Sequence, residues 1–187
     1  MNKGKLFVFS GASGVGKSTV LTKVMEQRRD LRFSVSATTR PPRPGETEAV
    51  NYYFVSKAQF ELMIQQDAFV EYDEHMGNFY GTPKVQLEEK LQNGSVILDI
   101  EPNGAFNVKK VRPDAVLIFI APPSLEELER RLRSRGDTSP EQIALRLARV
   151  QWEVAQSEQY DYVVVNEQVD TCAQEILDII HKKLEEQ

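Results

Sequence analysis

The sequence predicts a doubly wound α/β fold: a P-loop core with a mainly parallel five-stranded sheet, a small mixed α/β insertion and a helical lid. Three observations lead there. Gly11-Ala12-Ser13-Gly14-Val15-Gly16-Lys17-Ser18 fits the phosphate-loop pattern G-x-x-x-x-G-K-[ST] at every fixed position. The run 115–121 is fully apolar, as at the centre of a parallel sheet, and 95–100 and 162–166 read as further strands. Strand-like and helix-like segments alternate as β-α-β, insertion, β-α-β-α-α-β-α.

Taken in order, Leu6-Phe7-Val8-Phe9 reads as the strand before the glycine loop. From Thr19 to Arg28, Val20, Leu21 and Val24 recur at helical spacing. Strand, glycine loop and helix is the context in which the motif has chemistry. Gly11, Gly14 and Gly16 free the backbone to approach an anion, and the helix start adds its positive end. Lys17 is then expected to reach the β- and γ-phosphates of a nucleotide, and the Ser18 hydroxyl to hold Mg²⁺.

Phe33-Ser34-Val35-Ser36 alternates and reads as a second strand. The stretch after it, Thr38-Thr39-Arg40-Pro41-Pro42-Arg43-Pro44-Gly45-Glu46, holds Arg40 and Arg43 on a proline-stiffened loop. Three readings fit that loop: a solvated turn, a PxxP ligand, or a clamp of two arginines on one phosphate. The phosphate loop upstream favours the clamp.

Between Asn51 and Gly81 eight aromatic residues crowd together, among them Tyr52, Phe60, Phe69 and Tyr80. Short strands over 52–55, 69–74 and 78–80 and a helix over 58–65 make a small mixed subdomain, whose core those aromatics fill. Tyr52 and Tyr80 are the two whose hydroxyls are alternatively free to face a ligand. Gly77-Asn78 marks a tight turn, and a helix is expected over 83–91 with Pro83 near its first turn.

Ser95 to Ile100 is an apolar strand that ends in a carboxylate, Asp99, with Glu101 two residues on. A carboxylate there, in a chain with a phosphate loop, is a second support for Mg²⁺ and its waters; the alternative is a solvated strand end. After the apolar strand 115–121, Ser124-x-x-Glu127 and Ser139-Pro140-x-Gln142 start two helices. Arg130, Arg131, Arg133, Arg135, Arg146 and Arg149 lie on them around Gly136-Asp137, as in a lid that closes on phosphates or as partners for nearby glutamates. Trp152 reads as packing within the lid. The final strand runs from Tyr162 to Asn166, and Thr171-x-x-Gln174 caps the last helix.

Charge and composition narrow the function. Twenty-eight acidic residues against twenty-three basic ones leave a net charge of −5, which argues against a general nucleic-acid coat and for a small phosphorylated ligand in a locally basic site. The single Cys172 allows no internal disulfide, no Cys/His cluster suggests zinc, and neither His75 nor His181 has a partner in sequence that gives it a role. The apolar run after Lys5 is too short for a signal peptide or a membrane span, so a cytoplasmic setting is expected.

These segments together resemble the guanylate kinase family over nearly the full chain. The resemblance rests on Gly11–Thr19, Ser34–Glu46, Phe69-Val70-Glu71-Tyr72, Gly77-Asn78-Phe79-Tyr80-Gly81-Thr82, Ile118–Ser124 and Arg131-Leu132-Arg133-Ser134-Arg135-Gly136. It implies transfer of the ATP γ-phosphoryl group to GMP, giving ADP and GDP, with Mg²⁺ as cofactor and dGMP as a further candidate acceptor. It implies no nucleic-acid, membrane or obligate protein partner. It also implies roles by position. Ser36, Arg40, Arg43, Tyr52 and Tyr80 hold the GMP phosphate, and Glu71 and Thr82 read guanine, with Glu101 beside them. Gly11, Ala12, Ser13, Gly14, Val15, Gly16, Lys17, Ser18 and Thr19 hold ATP, Asn166 falls in the adenine-side segment, and Ser18 and Asp99 serve the metal. Lys17 and Arg40 act in catalysis, with Arg131, Arg135 and Arg146 closing from the lid.

The implied organisation is a single domain over 1–187. Its core covers about 1–36, 94–127 and 159–187, its GMP-binding insertion about 37–93 and its lid about 128–158. One segment departs from the family: Asp99-Ile100-Glu101-Pro102-Asn103-Gly104 stands where Asp-Ile-Asp-x-Gln-Gly is usual. Glu101 is one methylene longer than the usual acid, and Asn103 is shorter than the usual Gln. Two rivals remain: a kinase for another phosphorylated acceptor, which has no need of Glu71, Thr82 and Tyr80 together, and a non-catalytic relative that binds proteins, which typically loses parts of the loop and lid present here.

Overall fold

Among the described residues nine strands form two sheets, a five-stranded sheet in the order β2-β7-β1-β8-β9 and a four-stranded one in the order β4-β3-β6-β5. The computed structural model describes residues 4–75, 77–134 and 140–186, and within them not the side chains at 131, 132, 134, 140–142 and 146. The chain divides into two compact units, Met1–Val8 with Asp30–Ala115 and Phe9–Arg29 with Val116–Gln187. The first strand, β1 (Leu6–Gly11), contributes to both. Among the described residues no helix is long and apolar enough to cross a membrane.

In the first unit, β2 (Arg32–Phe33) runs parallel to β7 (Val96–Asp99), with Arg32 opposite Val96 and Phe33 opposite Ile97. The expected strand over 33–36 is therefore two structures. Ser34 still donates its N–H to the Ile97 carbonyl at 2.8 Å, but the chain then leaves this sheet and enters the other as β3 (Ala37–Thr38). There β3 pairs in parallel with β4 (Tyr53–Phe54) and antiparallel with β6 (Asn78–Pro83), which in turn pairs antiparallel with β5 (Phe69–His75).

The helix α2 (Lys57–Gln65) begins with a reciprocal capping box between Ser56 and Gln59 and buries Phe60. Phe60 stacks on Phe69 with centroids 4.4 Å apart and on Phe79 at 5.4 Å, and Tyr53 packs against them, so half of the eight aromatics build this core while Tyr72 is exposed. Gly81 makes that stacking possible, since a Cβ there would come within 2.8 Å of the Phe69 ring. Pro83 precedes α3 (Lys84–Gln92) at its N-cap, and α4 (Pro102–Val111) begins on Glu101 with proline at its first helical position.

In the second unit, β8 (Val116–Ala121) is buried at all six positions, as a central parallel strand must be, and β9 (Tyr162–Val165) pairs with it in parallel. The helix after the glycine loop, α1 (Lys17–Gln27), buries Val20, Leu21 and Val24 and packs on α7 (Val169–Glu185). Lys23 and Asp170 form an ion pair between these two helices.

The last helix starts two residues before the expected cap at Thr171. Gln168, in extended conformation, is its N-cap and accepts the Cys172 N–H through its backbone carbonyl, so Thr171 lies inside the first turn. The helices α5 (Leu125–Ser134) and α6 (Pro140–Ala155) pack together. Ser124 Oγ accepts the Glu127 N–H at 3.1 Å, whereas the Glu127 carboxylate takes two bonds from Arg130. Trp152, expected to pack within the lid, is 43% exposed.

Candidate active site

The phosphate loop is assembled entirely within the second unit. Gly11 closes β1 beside β8; a Cβ there would meet the Ile120 carbonyl oxygen at 2.8 Å, so only glycine fits. Ala12 donates its N–H to that same oxygen, and Val15 donates back to Ala12. Gly14 and Gly16 have φ of +82° and +91°, the left-handed region in which a side chain is strained. Gly16 is the N-cap of α1, and no side chain caps that helix. Its first amides therefore face whatever occupies the loop, an arrangement suited to an anion. Lys17 opens the helix half-buried, and Ser18 and Thr19 follow it exposed.

Two buried side chains hold this loop. Asn166, 2% exposed, donates from Nδ2 to the Val15 carbonyl at 2.7 Å; a Cβ on Gly16 would come within 3.0 Å of that nitrogen. Glu153, 1% exposed, accepts the Ser13 N–H on Oε2 at 2.9 Å and the Arg149 Nε–H on Oε1 at 2.7 Å. Asn166 was expected on the adenine side, and its described contact is to the loop backbone. Glu153 was not singled out in the sequence, because its partner lies 140 residues away.

Of the lid arginines, Arg135 lies outside the described residues, as do the side chains of Arg131 and Arg146. Arg130 and Arg133 form helix-surface pairs with Glu127 and Glu129, which is the plainer of the two roles open to them.

The first unit builds a buried carboxyl. Glu71 on β5 lies opposite Thr82 on β6, just past a register shift between Phe69 and Glu71. The Thr82 hydroxyl donates to Glu71 Oε1 at 2.6 Å. Oε2 lies against α4, where a Cβ on Gly104 would stand 2.7 Å from it. Burial pushes the Glu71 carboxyl up to about 7; the charge of Asp73 adds to the shift, and the Thr82 hydrogen bond opposes it. A carboxyl poised near neutrality suits a ligand edge that offers hydrogen-bond donors.

Arg40 lies in the same unit on the proline loop. Its guanidinium is gripped by Glu46 through two bonds, of 3.0 and 2.8 Å, and lies over the Tyr52 ring at 5.4 Å. Tyr52 meets Tyr80 edge-on at 6.0 Å. Arg40, Tyr52 and Tyr80 are thus brought together. Arg43 joins them through its backbone N–H, which donates to Glu46 at 2.7 Å, while its side chain is exposed. Arg40 holds the Glu46 carboxyl below the usual carboxylate range. Ser36 is buried, and its carbonyl accepts the Tyr53 N–H.

Asp99 ends β7 and is half-buried; Glu101 is the half-buried N-cap residue of α4, with extended backbone. Asp99 and Ser18 supply only hard oxygen donors, the type Mg²⁺ takes in small number while keeping waters and phosphate oxygens. Each by itself is an oxygen donor of a kind that ion accepts.

Comparison with known proteins bears on the family and the fold. The family model for guanylate kinase matches residues 3–183. A guanylate kinase of Thermus thermophilus is 50% identical over 95% of this chain and 81% of its own length. One from Streptococcus agalactiae is 47% identical over 95% and 86%. The crystal structure of guanylate kinase from Anaplasma phagocytophilum superposes with a TM-score of 0.80 at 37% identity, covering 97% of this chain and 86% of that one. A shikimate kinase from Bacteroides thetaiotaomicron, at 12% identity and a TM-score of 0.50, shares the fold alone. With its phosphate loop, its buried Glu71 and a family match across nearly its whole length, the chain belongs to the guanylate kinase family.

Proposed function

We propose that this chain transfers the γ-phosphoryl group of ATP to GMP, giving ADP and GDP. The observation that carries the reading is Glu71: a carboxyl 6% exposed, bonded to Thr82 and raised to about 7. Guanine presents N1–H and N2–H₂ donors on one edge, which an ionised carboxylate accepts as a pair; adenine presents a lone pair at N1. Glu71 and Thr82 read the base, with Glu101 as a further acceptor. Arg40, Arg43, Tyr52, Tyr80 and Ser36 receive the acceptor phosphate.

On the donor side, the amides from Gly11 to Thr19 hold the polyphosphate and Lys17 offsets charge on the transferring group. Asn166 keeps the loop in shape through Val15. Arg131, Arg135 and Arg146 close from a lid over about 128–158, the acceptor subdomain spanning about 37–93. Ser18 and Asp99 are the residues assigned to Mg²⁺, which when bound neutralises phosphate charge. No general base is assigned, because the attacking phosphate oxygen is already ionised near neutral pH. The protein's work is alignment, electrostatic stabilisation and exclusion of water. A cytoplasmic setting and a role in recycling GMP within purine metabolism belong to the same proposal.

A coupled assay of ADP release with GMP, dGMP and AMP tests it. GMP-dependent release that far exceeds the AMP rate is expected. Release without any acceptor, or equal rates with GMP and AMP, would refute the reading.

A further inference from the structure

Glu153 is an acid set against the phosphate loop, and neither the motif nor the assigned reaction uses it. It is buried on α6, one carboxylate oxygen accepting the Ser13 N–H of the phosphate loop and the other accepting from Arg149 one turn earlier. A negative charge there works against a bound polyphosphate unless something cancels it. Arg149, four residues before it on the same helix, does so at 2.7 Å.

We infer that Glu153 is a positioning residue for the ATP phosphates, holding the phosphate loop in its binding shape through Ser13 N–H while Arg149 neutralises the carboxylate. The inference rests on the loop being the ATP site. The geometry separates two duties. As acceptor, the buried Glu153 carboxylate takes the Ser13 N–H and fixes the first half of the loop as Asn166 fixes the second through Val15. As a charge it is a burden, tolerated because of Arg149. The two duties can be tested apart, since glutamine keeps the acceptor and discards the charge.

The experiment measures the Kd of the non-hydrolysable ATP analogue AMP-PNP and, separately, the Kd of GMP by titration calorimetry. The proteins are wild type, Glu153→Ala, Glu153→Gln, Arg149→Met and the double variant Arg149→Met/Glu153→Gln. Glu153→Ala is expected to weaken AMP-PNP about tenfold, the size of a lost charge-assisted hydrogen bond, with GMP binding unchanged. Glu153→Gln should bind AMP-PNP like wild type. Arg149→Met should weaken it, and the double variant should recover.

A role confined to fold stability would lower the melting temperature or the active fraction without moving one Kd and sparing the other. Equal shifts for both ligands, a glutamine variant as weak as alanine, or a double variant that stays as weak as Arg149→Met would each overturn the inference; the last would mean that Arg149 grips the nucleotide itself. If Glu153→Ala does not fold, the glutamine and Arg149 variants decide alone. A wild type that binds AMP-PNP but leaves GMP unphosphorylated would undo the proposed function and leave this comparison standing.

Discussion

Glu71 and Thr82 face each other across the β5–β6 ladder, and the Thr82 hydroxyl donates to Glu71 Oε1 at 2.6 Å. The bond orients the carboxyl yet does not reverse the effect of burial, which holds it near 7. Between about pH 4.5 and 7 the folded chain therefore binds a proton at Glu71 that the unfolded chain has released. By linkage, that contribution to stability is complete below 4.5 and is lost as pH rises through 7. Glu71→Gln removes the loss. It should raise the stability of the ligand-free protein at pH 8 by on the order of 3 kcal/mol and leave it nearly unchanged at pH 4.5. Urea unfolding at the two pH values checks this.

Guanine asks for the ionised form of the same group. Affinity for GMP should fall as pH drops below about 7, close to tenfold per unit once Glu71 is mainly protonated. Binding at pH 6.5 should release a proton. Calorimetry in two buffers of different ionisation enthalpy reads that release, and no proton exchange would remove Glu71 from the base contact.

Gly104 leaves room for the carboxylate, because its absent Cβ would stand 2.7 Å from Glu71 Oε2. Gly104→Ala should displace Glu71 and raise the KM for GMP by roughly tenfold or more, the scale of one lost hydrogen bond to a charged group. The KM for ATP should not change. Steady-state kinetics with each substrate varied in turn separates the two.

Arg40 is held by Glu46 and stacked over Tyr52. Arg40→Ala should impair use of GMP far more than binding of ATP. A change confined to the ATP Kd would assign the loop to the donor side.

Lys17 opens α1 half-buried on the loop. Lys17→Ala should lower kcat by orders of magnitude with a melting temperature close to wild type, since the residue stabilises the transferring group rather than the fold. Thermal unfolding beside turnover reads both.

How far the sequence spoke depended on the range of each interaction. The phosphate loop was legible because its glycines, lysine and serine are adjacent and each answers a local demand, such as the positive φ of Gly14 and Gly16. The apolar strand β8 was legible because full burial leaves a run without alternation. The split of 33–36 between two sheets was hidden, since alternation reports an extended backbone and not the partner it pairs with. The start of α7 was missed because Thr171-x-x-Gln174 has the form of a capping box, while the backbone turns helical at Val169. Glu71 came from resemblance. Its support by Gly104 and the Ser13–Glu153 contact join residues far apart in the chain, and no spacing pattern records them.

Guanine recognition by Glu71 is tested most directly by the ratio of kcat/KM for GMP to that for AMP, in wild type and in Glu71→Gln. The wild type is expected to prefer GMP strongly, and the variant to lose roughly 1–3 kcal/mol of that preference, mainly through kcat/KM for GMP. An unchanged ratio in the variant would take guanine recognition away from Glu71, and a wild type that prefers AMP would contradict phosphoryl transfer to GMP as the reaction.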